Sequence, residues 1–211
     1  MPARIRQVDL DELLAKGARI GLTAPAPRPR PAGPAEAAGA AALAARVLGL
    51  DPGSVRTGWG VVEVMAGGRL RLVAGGTIAS GGRQPMPERL LKIHRELGEI
   101  IARHRPGEVA VEGVFASLNP RTAIVLGQAR GAALLAGALA GLPVYEYPPA
   151  SVKKALVGTG RAEKRQVRVM VEALLNESLP PPSEFSLDAS DALAIAMCHL
   201  QSRALRARGL R

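Results

Sequence analysis

Four carboxylates in this chain have types and positions suited to metal chemistry. Asp51 ends the short apolar run RVLGLD (46–51). Glu112 lies within the apolar run VAVEGVF (109–115). Asp188 and Asp191 open the segment LDASDALAIA (187–196), and acids three apart on a helix share a face. Like charges brought within a few ångströms raise one another's pKa, so such a cluster calls for compensation. Hard divalent cations such as magnesium or manganese take oxygen ligands and supply it. Plainer readings stand beside this one. Asp51 in Asp-Pro-Gly is also a common turn residue, and Asp188 with Asp191 suits a helix N-terminus. Glu112 is the most informative, because a charge inside a buried strand is costly unless paired or metal-bound.

The elements that must position these acids follow from apolar periodicity and turn residues. Strands are expected at 46–51, 58–65, 69–79, 108–115 and 143–147. Ala66-Gly67-Gly68 marks a hairpin between the second and third. Residues 86–104 place Leu90, Ile93, Leu97, Ile100 and Ile101 on one helical face, and Pro106-Gly107 stops that helix. Asn119-Pro120 reads as an N-cap followed by proline at the first helical position, opening a helix to about residue 140. Further helices are expected at about 149–157, 162–177 and 187–205. Three strands joined by short turns are antiparallel, and two reached through helices are parallel. The fold class is therefore α/β, a five-stranded mixed sheet with helices on both faces. If the first and fourth strands are neighbours, Asp51 stands beside Glu112, with the last helix packed across them.

Composition narrows the partners. The chain has 211 residues and a net charge of +10, with 47% hydrophobic residues, which excludes global disorder. One cysteine excludes a disulfide framework and a cysteine-based zinc site. Only five aromatic residues occur (Trp59, Phe115, Tyr145, Tyr147 and Phe185), too few for a base-stacking platform. Positive charge without aromatics points to phosphate contact with duplex or branched nucleic acid, against the plainer reading of a basic soluble protein. No secretory leader is recognisable at the N-terminus. The longest apolar stretch, 122–144, carries Gln128 and Arg130 near its middle, which argues against a membrane span and for a cytoplasmic protein. Residues 1–45 form a Pro/Ala-rich extension, disordered or partly helical, with a short helix at Val8–Lys16. A start codon set too far upstream gives the same kind of prefix. The first 46 residues hold 7 basic and 4 acidic residues, net +3, leaving +7 on the rest. Residues 46–205 form the folded domain and 206–211 a basic tail.

Six segments, LGLDPGSVRTGWGVV (48–62), VAVEGVF (109–115), LGQARGAALLA (126–136), VYEY (144–147), VKKALVGTGRAEKRQV (152–167) and LDASDALAIA (187–196), resemble in order and spacing the RuvC-type Holliday junction resolvases. The likeness spans about residues 46–201. It implies a ribonuclease H-like fold, a homodimer, and a magnesium- or manganese-dependent endonuclease cutting four-way DNA junctions in recombination and repair. Two symmetric nicks would leave 5′-phosphate and 3′-hydroxyl ends. By position, Asp51, Glu112, Asp188 and Asp191 match the family's catalytic acids, holding two metal ions per active site. Some relatives carry His where Asp188 stands. Lys153 and Lys164 match basic residues contacting DNA near the cut, and Phe115 matches an aromatic at the junction crossover. The family also implies a branch-migration motor as partner. The extension 1–45 and the prolines 180–182 depart from the family pattern.

Other features remain open on the residues alone. The Gly158-Thr159-Gly160-Arg161 turn before a helix can offer backbone N–H groups to phosphate, with Arg161 beside it, or can simply link two helices. Gly127 and Gly131 allow either core packing or a dimer seam, and two symmetric cuts in a two-fold junction call for a C2 dimer. Cys198, His94, His104 and His199 read as structural or exposed. An actin-like phosphotransfer fold would need a second acidic-glycine loop, which is missing. A non-catalytic junction binder sits poorly with four acids present. A nuclease of the same fold acting on RNA–DNA hybrids shares the site chemistry.

Overall fold

A computed structural model describes residues 46–113, 119–207 and 209. The extension 1–45, Phe115 and most of the tail beyond 207 lie outside the described residues. The strands are β1 (Arg46–Asp51), β2 (Arg56–Val64), β3 (Leu70–Ala79), β4 (Glu108–Glu112) and β5 (Val144–Tyr147). The helices are α1 (Met86–His104), α2 (Pro120–Leu139), α3 (Pro149–Val157), α4 (Lys164–Leu175) and α5 (Leu187–Ala207). The sheet runs β3-β2-β1-β4-β5. The β1–β2 and β2–β3 pairs are antiparallel, while β1–β4 and β4–β5 are parallel. This is the expected mixed sheet, with β1 and β4 adjacent.

Side-chain alternation divides the interior into two layers. Leu48, Leu50, Val61, Val109 and Val111 face α1 and α2, where they meet Ile93, Leu97, Ala129 and Ala133. Val47, Val62 and Ala110 face the other way, onto a core that includes Leu156, Val167, Val171 and the buried run Leu193–Cys198 of α5. Period-two alternation continues each set to its strand end. Asp51 follows Val47 and Gly49, and Glu112 follows Ala110, so both acids belong to the α5 face at the carboxyl ends of parallel neighbours.

Two glycines let α5 lie directly on the sheet. A Cβ at Gly49 would stand 1.9 Å from the Ala192 carbonyl oxygen, and one at Gly58 would stand 2.0 Å from that of Asp188. Gly58 is the register partner of Asp51. Backbone therefore meets backbone beside the first acid, and the first turn of α5 is delivered to it.

Several boundaries differ from expectation. Glu112 is the last residue of β4 and half-buried, not the middle of a longer strand; Val114 and Phe115 lie outside the described residues. α4 begins at Lys164 because Glu163 caps it, its backbone N–H donating to Gln166 Oε1 at 2.8 Å. The Asn119 cap forms as expected, its side chain accepting from the Arg121 N–H at 2.9 Å. α2 is long and apolar enough, by composition, to cross a membrane. Here it packs on the sheet through Ala129, Ala133 and Ala136. A Cβ at Gly127 or Gly131 would meet nothing within 4 Å, so packing among the described residues does not require either glycine.

Candidate active site

The turn after β1 is pinned before any acid is considered. Arg89, buried on α1, donates through Nε to the Ser54 carbonyl at 2.6 Å, and Ser80 Oγ donates to the same oxygen at 2.9 Å. Thr57 Oγ1 donates to the Gly53 carbonyl at 2.9 Å. These bonds fix residues 53–57, the connection from Asp51 into β2.

Asp51 and Glu112 share a side-chain hydrogen bond across the β1–β4 seam. Burial and the neighbouring Asp191 push Asp51 up to about 6, partly opposed by Lys164. Burial and Asp51 push Glu112 up to about 8. Two desolvated carboxyls in contact cannot both ionise without help. With Glu112 pushed up to about 8, a proton held by that carboxyl would supply it at neutral pH.

The helix acids are compensated differently. Lys164 Nζ lies 2.6 Å from Asp191 Oδ2 and 3.9 Å from Asp188 Oδ1. Arg56, at the start of β2, donates through Nε to Asp188 Oδ2 at 2.8 Å. Burial raises the Asp191 pKa, with Lys164 opposing. Burial disfavours the Lys164 charge, but the carboxylates of Asp191, Asp51 and Asp188 outweigh it and hold that ammonium above its ordinary range.

Two recesses flank the Asp51–Glu112 pair. One, of 230 Å³, is lined by both acids with Asp191, Lys153, Lys164 and Pro149. The other, of 340 Å³, is lined by both acids with Asp188, Arg56, Arg130 and Pro149 among others. The structure thus brings together all four predicted acids and both predicted lysines. It leaves Arg161 apart, exposed in the turn between α3 and α4 and lining neither recess. Gly158, with φ of 82°, ends α3 as its left-handed cap, which accounts for that glycine without a ligand. Phe115 lies outside the described residues. A larger cavity of 740 Å³, between Trp59 and α1, contains none of the four acids.

Sequence reasoning missed Arg56, Arg89 and Arg130. Arginines look alike in a sequence of net charge +10, and only the folded chain separates Arg56 and Arg130, which line a recess, from Arg89, which pins the segment after β1. His199 is fully buried, as a structural histidine should be, with Nδ1 2.8 Å from Tyr147 Oη and Nε2 2.7 Å from Glu108 Oε2.

A fit to divalent cations rests on the donor set. Four oxygen-ligand side chains gather at the carboxyl ends of the interior strands β1 and β4 and the start of α5, and two of them are desolvated and mutually repulsive, the condition a hard cation relieves. As placed, no three His, Cys, Asp or Glu among the described residues form a closed ligand group. Lys164 and Arg56 occupy the space between the acids instead.

The sheet order and the helices on both faces define a ribonuclease H-like resolvase fold of the α/β class. The profile of the family described as crossover junction endodeoxyribonuclease RuvC matches residues 47–199. Among curated proteins, the chain is 52% identical over 158 residues to the crossover junction endodeoxyribonuclease RuvC of Azorhizobium caulinodans, covering 75% of this chain and 90% of that one. It is 53% identical over 165 residues to that of Xanthobacter autotrophicus, covering 78% and 95%. The solved Thermus thermophilus RuvC in complex with Holliday junction substrate superposes with a TM-score of 0.68 at 40% identity, over 75% of this chain and 95% of that one. The yeast mitochondrial resolvase Ydc2 shares the fold at a TM-score of 0.57 and 10% identity, covering 78% of this chain and 83% of that one. The chain belongs to the RuvC family of crossover junction endodeoxyribonucleases.

Proposed function

We propose that this protein resolves four-way DNA junctions by metal-dependent hydrolysis of phosphodiesters, with Asp51, Glu112, Asp188 and Asp191 as its catalytic set. The observation that carries the reading is the meeting of all four acids at the ends of β1, β4 and α5, with Lys164 between them. Asp51 is central because it touches Glu112 and lines both recesses.

The four carboxylates would hold two magnesium or manganese ions. When bound, such ions lower the pKa of a water and stabilise charge on the leaving 3′ oxygen. The chain's own residues do the rest. Asp51 and Glu112 would have to be deprotonated for both carboxylates to serve as ligands. Lys164, which lines the recess beside Asp191, would offer its ammonium to the phosphate. Lys153, lining the same recess, adds a second positive charge. Arg161 and Phe115 complete the proposed DNA contacts, Arg161 as an exposed cation on the α3–α4 turn.

Each chain carries one such site, and a junction needs two symmetric cuts, which supports a C2 homodimer. The unpacked Gly127 and Gly131 on α2 are compatible with a seam there. We further assign the domain to residues 46–205, a cytoplasmic location, and a branch-migration motor as the working partner.

The test is cleavage of a labelled synthetic four-way junction beside linear duplex and an RNA–DNA hybrid, with magnesium, manganese or chelator. Paired nicks confined to the junction, lost with chelator and with Asp51→Asn, are expected. Cutting of the hybrid alone would overturn the substrate, and binding without cutting in either metal would overturn the catalytic reading.

A further inference from the structure

Arg130 stands in the interior of α2, and none of the roles above uses it. Its side chain is only 18% exposed, yet it lines the recess that flanks Asp51 and Glu112 on the side away from Lys164. Its Nη2 pairs with Glu146 Oε2 on β5. Its Nε is buried and has no hydrogen-bond partner among the described residues. A guanidinium has five N–H donors in a planar fork. Burying it against a single carboxylate leaves donors unsatisfied, which is costly and uncommon in folded proteins. Glu146 is itself 52% exposed and free to yield to another anion.

The surroundings say which anion. The recess is lined by Asp51, Glu112 and Asp188 and by two arginines, Arg130 and Arg56, of which Arg56 is already engaged by Asp188, so Arg130 is the cation there with donors to spare. A DNA strand presenting one phosphate to Asp51 and Glu112 must carry its next phosphates to either side. One side meets Lys153 and Lys164; the other meets this recess. A phosphate offers several oxygens, matches the guanidinium fork, and forms charge-assisted hydrogen bonds.

We propose that Arg130 is a phosphate-binding residue, gripping the phosphate that adjoins the scissile one on the cleaved strand. The inference rests on the junction-cutting reading and adds to it a second anchor, opposite the lysines. With one phosphate fixed by Lys153 and Lys164 and a neighbour fixed by Arg130, the strand has a defined register over the acids.

The experiment uses the full chain and junctions carrying one neutral methylphosphonate in turn at the phosphates flanking the cut. With wild-type protein, one flanking substitution should lower single-turnover cleavage about 10- to 100-fold. Arg130→Gln should lower cleavage of the unmodified junction by a similar factor and show no further loss at that position. Arg130→Lys should recover part of the rate. Glu146→Gln, which removes the same ion pair, should cut at the wild-type rate or faster. If Arg130→Gln loses as much as wild type at every methylphosphonate position, or if Glu146→Gln reproduces its defect, Arg130 only ties α2 to β5 and the proposal fails. Thermal melts of both variants identify a folding defect, and Arg130→Lys then carries the same methylphosphonate comparison. Wild-type protein that cuts no unmodified junction would overturn the junction reading and this inference with it, whereas cutting indifferent to Arg130 would overturn this inference alone.

Discussion

The two halves of the acidic site solve one electrostatic problem in opposite ways. The strand pair, Asp51 and Glu112, is desolvated and relies on a shared proton, with burial raising both pKa values. The helix pair, Asp188 and Asp191, is served by resident cations, Arg56 and Lys164. The difference teaches where a metal ion is most needed. A deprotonated strand pair lacks a dedicated protein cation, while the helix pair already has two.

The largest effects should come from the strand pair. Asp51→Asn and Glu112→Gln are each expected to lower junction cleavage about 10³-fold or more, judged against the loss of one key electrostatic group. Junction binding, measured by gel shift or fluorescence anisotropy, should stay within a few-fold. Asp188→His should be far milder, within about tenfold in cleavage, since Arg56 already shares that position's charge balance. Equal losses at Asp51 and Asp188 would erase the distinction between the halves.

Next in size is Lys164→Met. It removes the cation lying 2.6 Å from Asp191 and the charge offered to phosphate. Single-turnover cleavage should fall about 10- to 100-fold. Loss in binding alone, with unchanged cleavage of bound junction, would make Lys164 a tether only.

A subtler effect is the pH dependence of metal-free stability. Asp51 and Glu112 bind protons more tightly in the folded chain than in the unfolded one. Stability is then fullest below the unfolded values, near pH 4, and is lost as pH rises through the folded ones. Melting of the metal-free protein should therefore move to lower temperature between about pH 5 and pH 8. Added magnesium should reverse the trend, and more strongly at higher pH. Glu112→Gln should flatten the slope and raise the melting temperature at pH 8 by about 2–4 °C for each kcal/mol of repulsion removed. A metal-free melting temperature that rises with pH would contradict the shared-proton description.

The smallest effect is expected at Arg56→Gln. Its contact with Asp188 is half exposed, and exposed ion pairs contribute about 0–1 kcal/mol. Cleavage within about fivefold of wild type is expected. A loss as large as that at Lys164 would promote Arg56 to an equal partner.

Much of this was legible in the sequence, for identifiable reasons. The three-residue spacing of Asp188 and Asp191 put both on one helical face, and helical crossovers told which strands are parallel. The neighbouring of β1 and β4 entered the sequence reading only as a condition, and the sheet order meets it. What stayed hidden depends on contacts between distant segments. Glu112 reads as mid-strand because Val114 and Phe115 continue the apolar run, whereas pairing with β5 stops at Glu112 and Tyr147. The capping of α4 by Glu163 moves Lys164 to the helix start, from which it reaches Asp191. The arginines at 56, 89 and 130 differ only in what they touch across 132, 35 and 16 positions of chain, which no local pattern records.

The glycine seam beneath α5 has a consequence for how the site keeps its dimensions. Elsewhere in the domain, layers are separated by side chains that can exchange volume through substitution or rotamer change. At Gly49 and Gly58 the spacing is instead that of two polypeptide backbones in contact. This contact is a hard stop: the gauge between the strand acids and the helix acids is set by the van der Waals contact of two backbones, not by which hydrophobic residues fill the two cores. Natural variation can therefore retune the stability of the domain while leaving its cutting gap at a fixed calibre, and a single methyl group at position 58 would reset it.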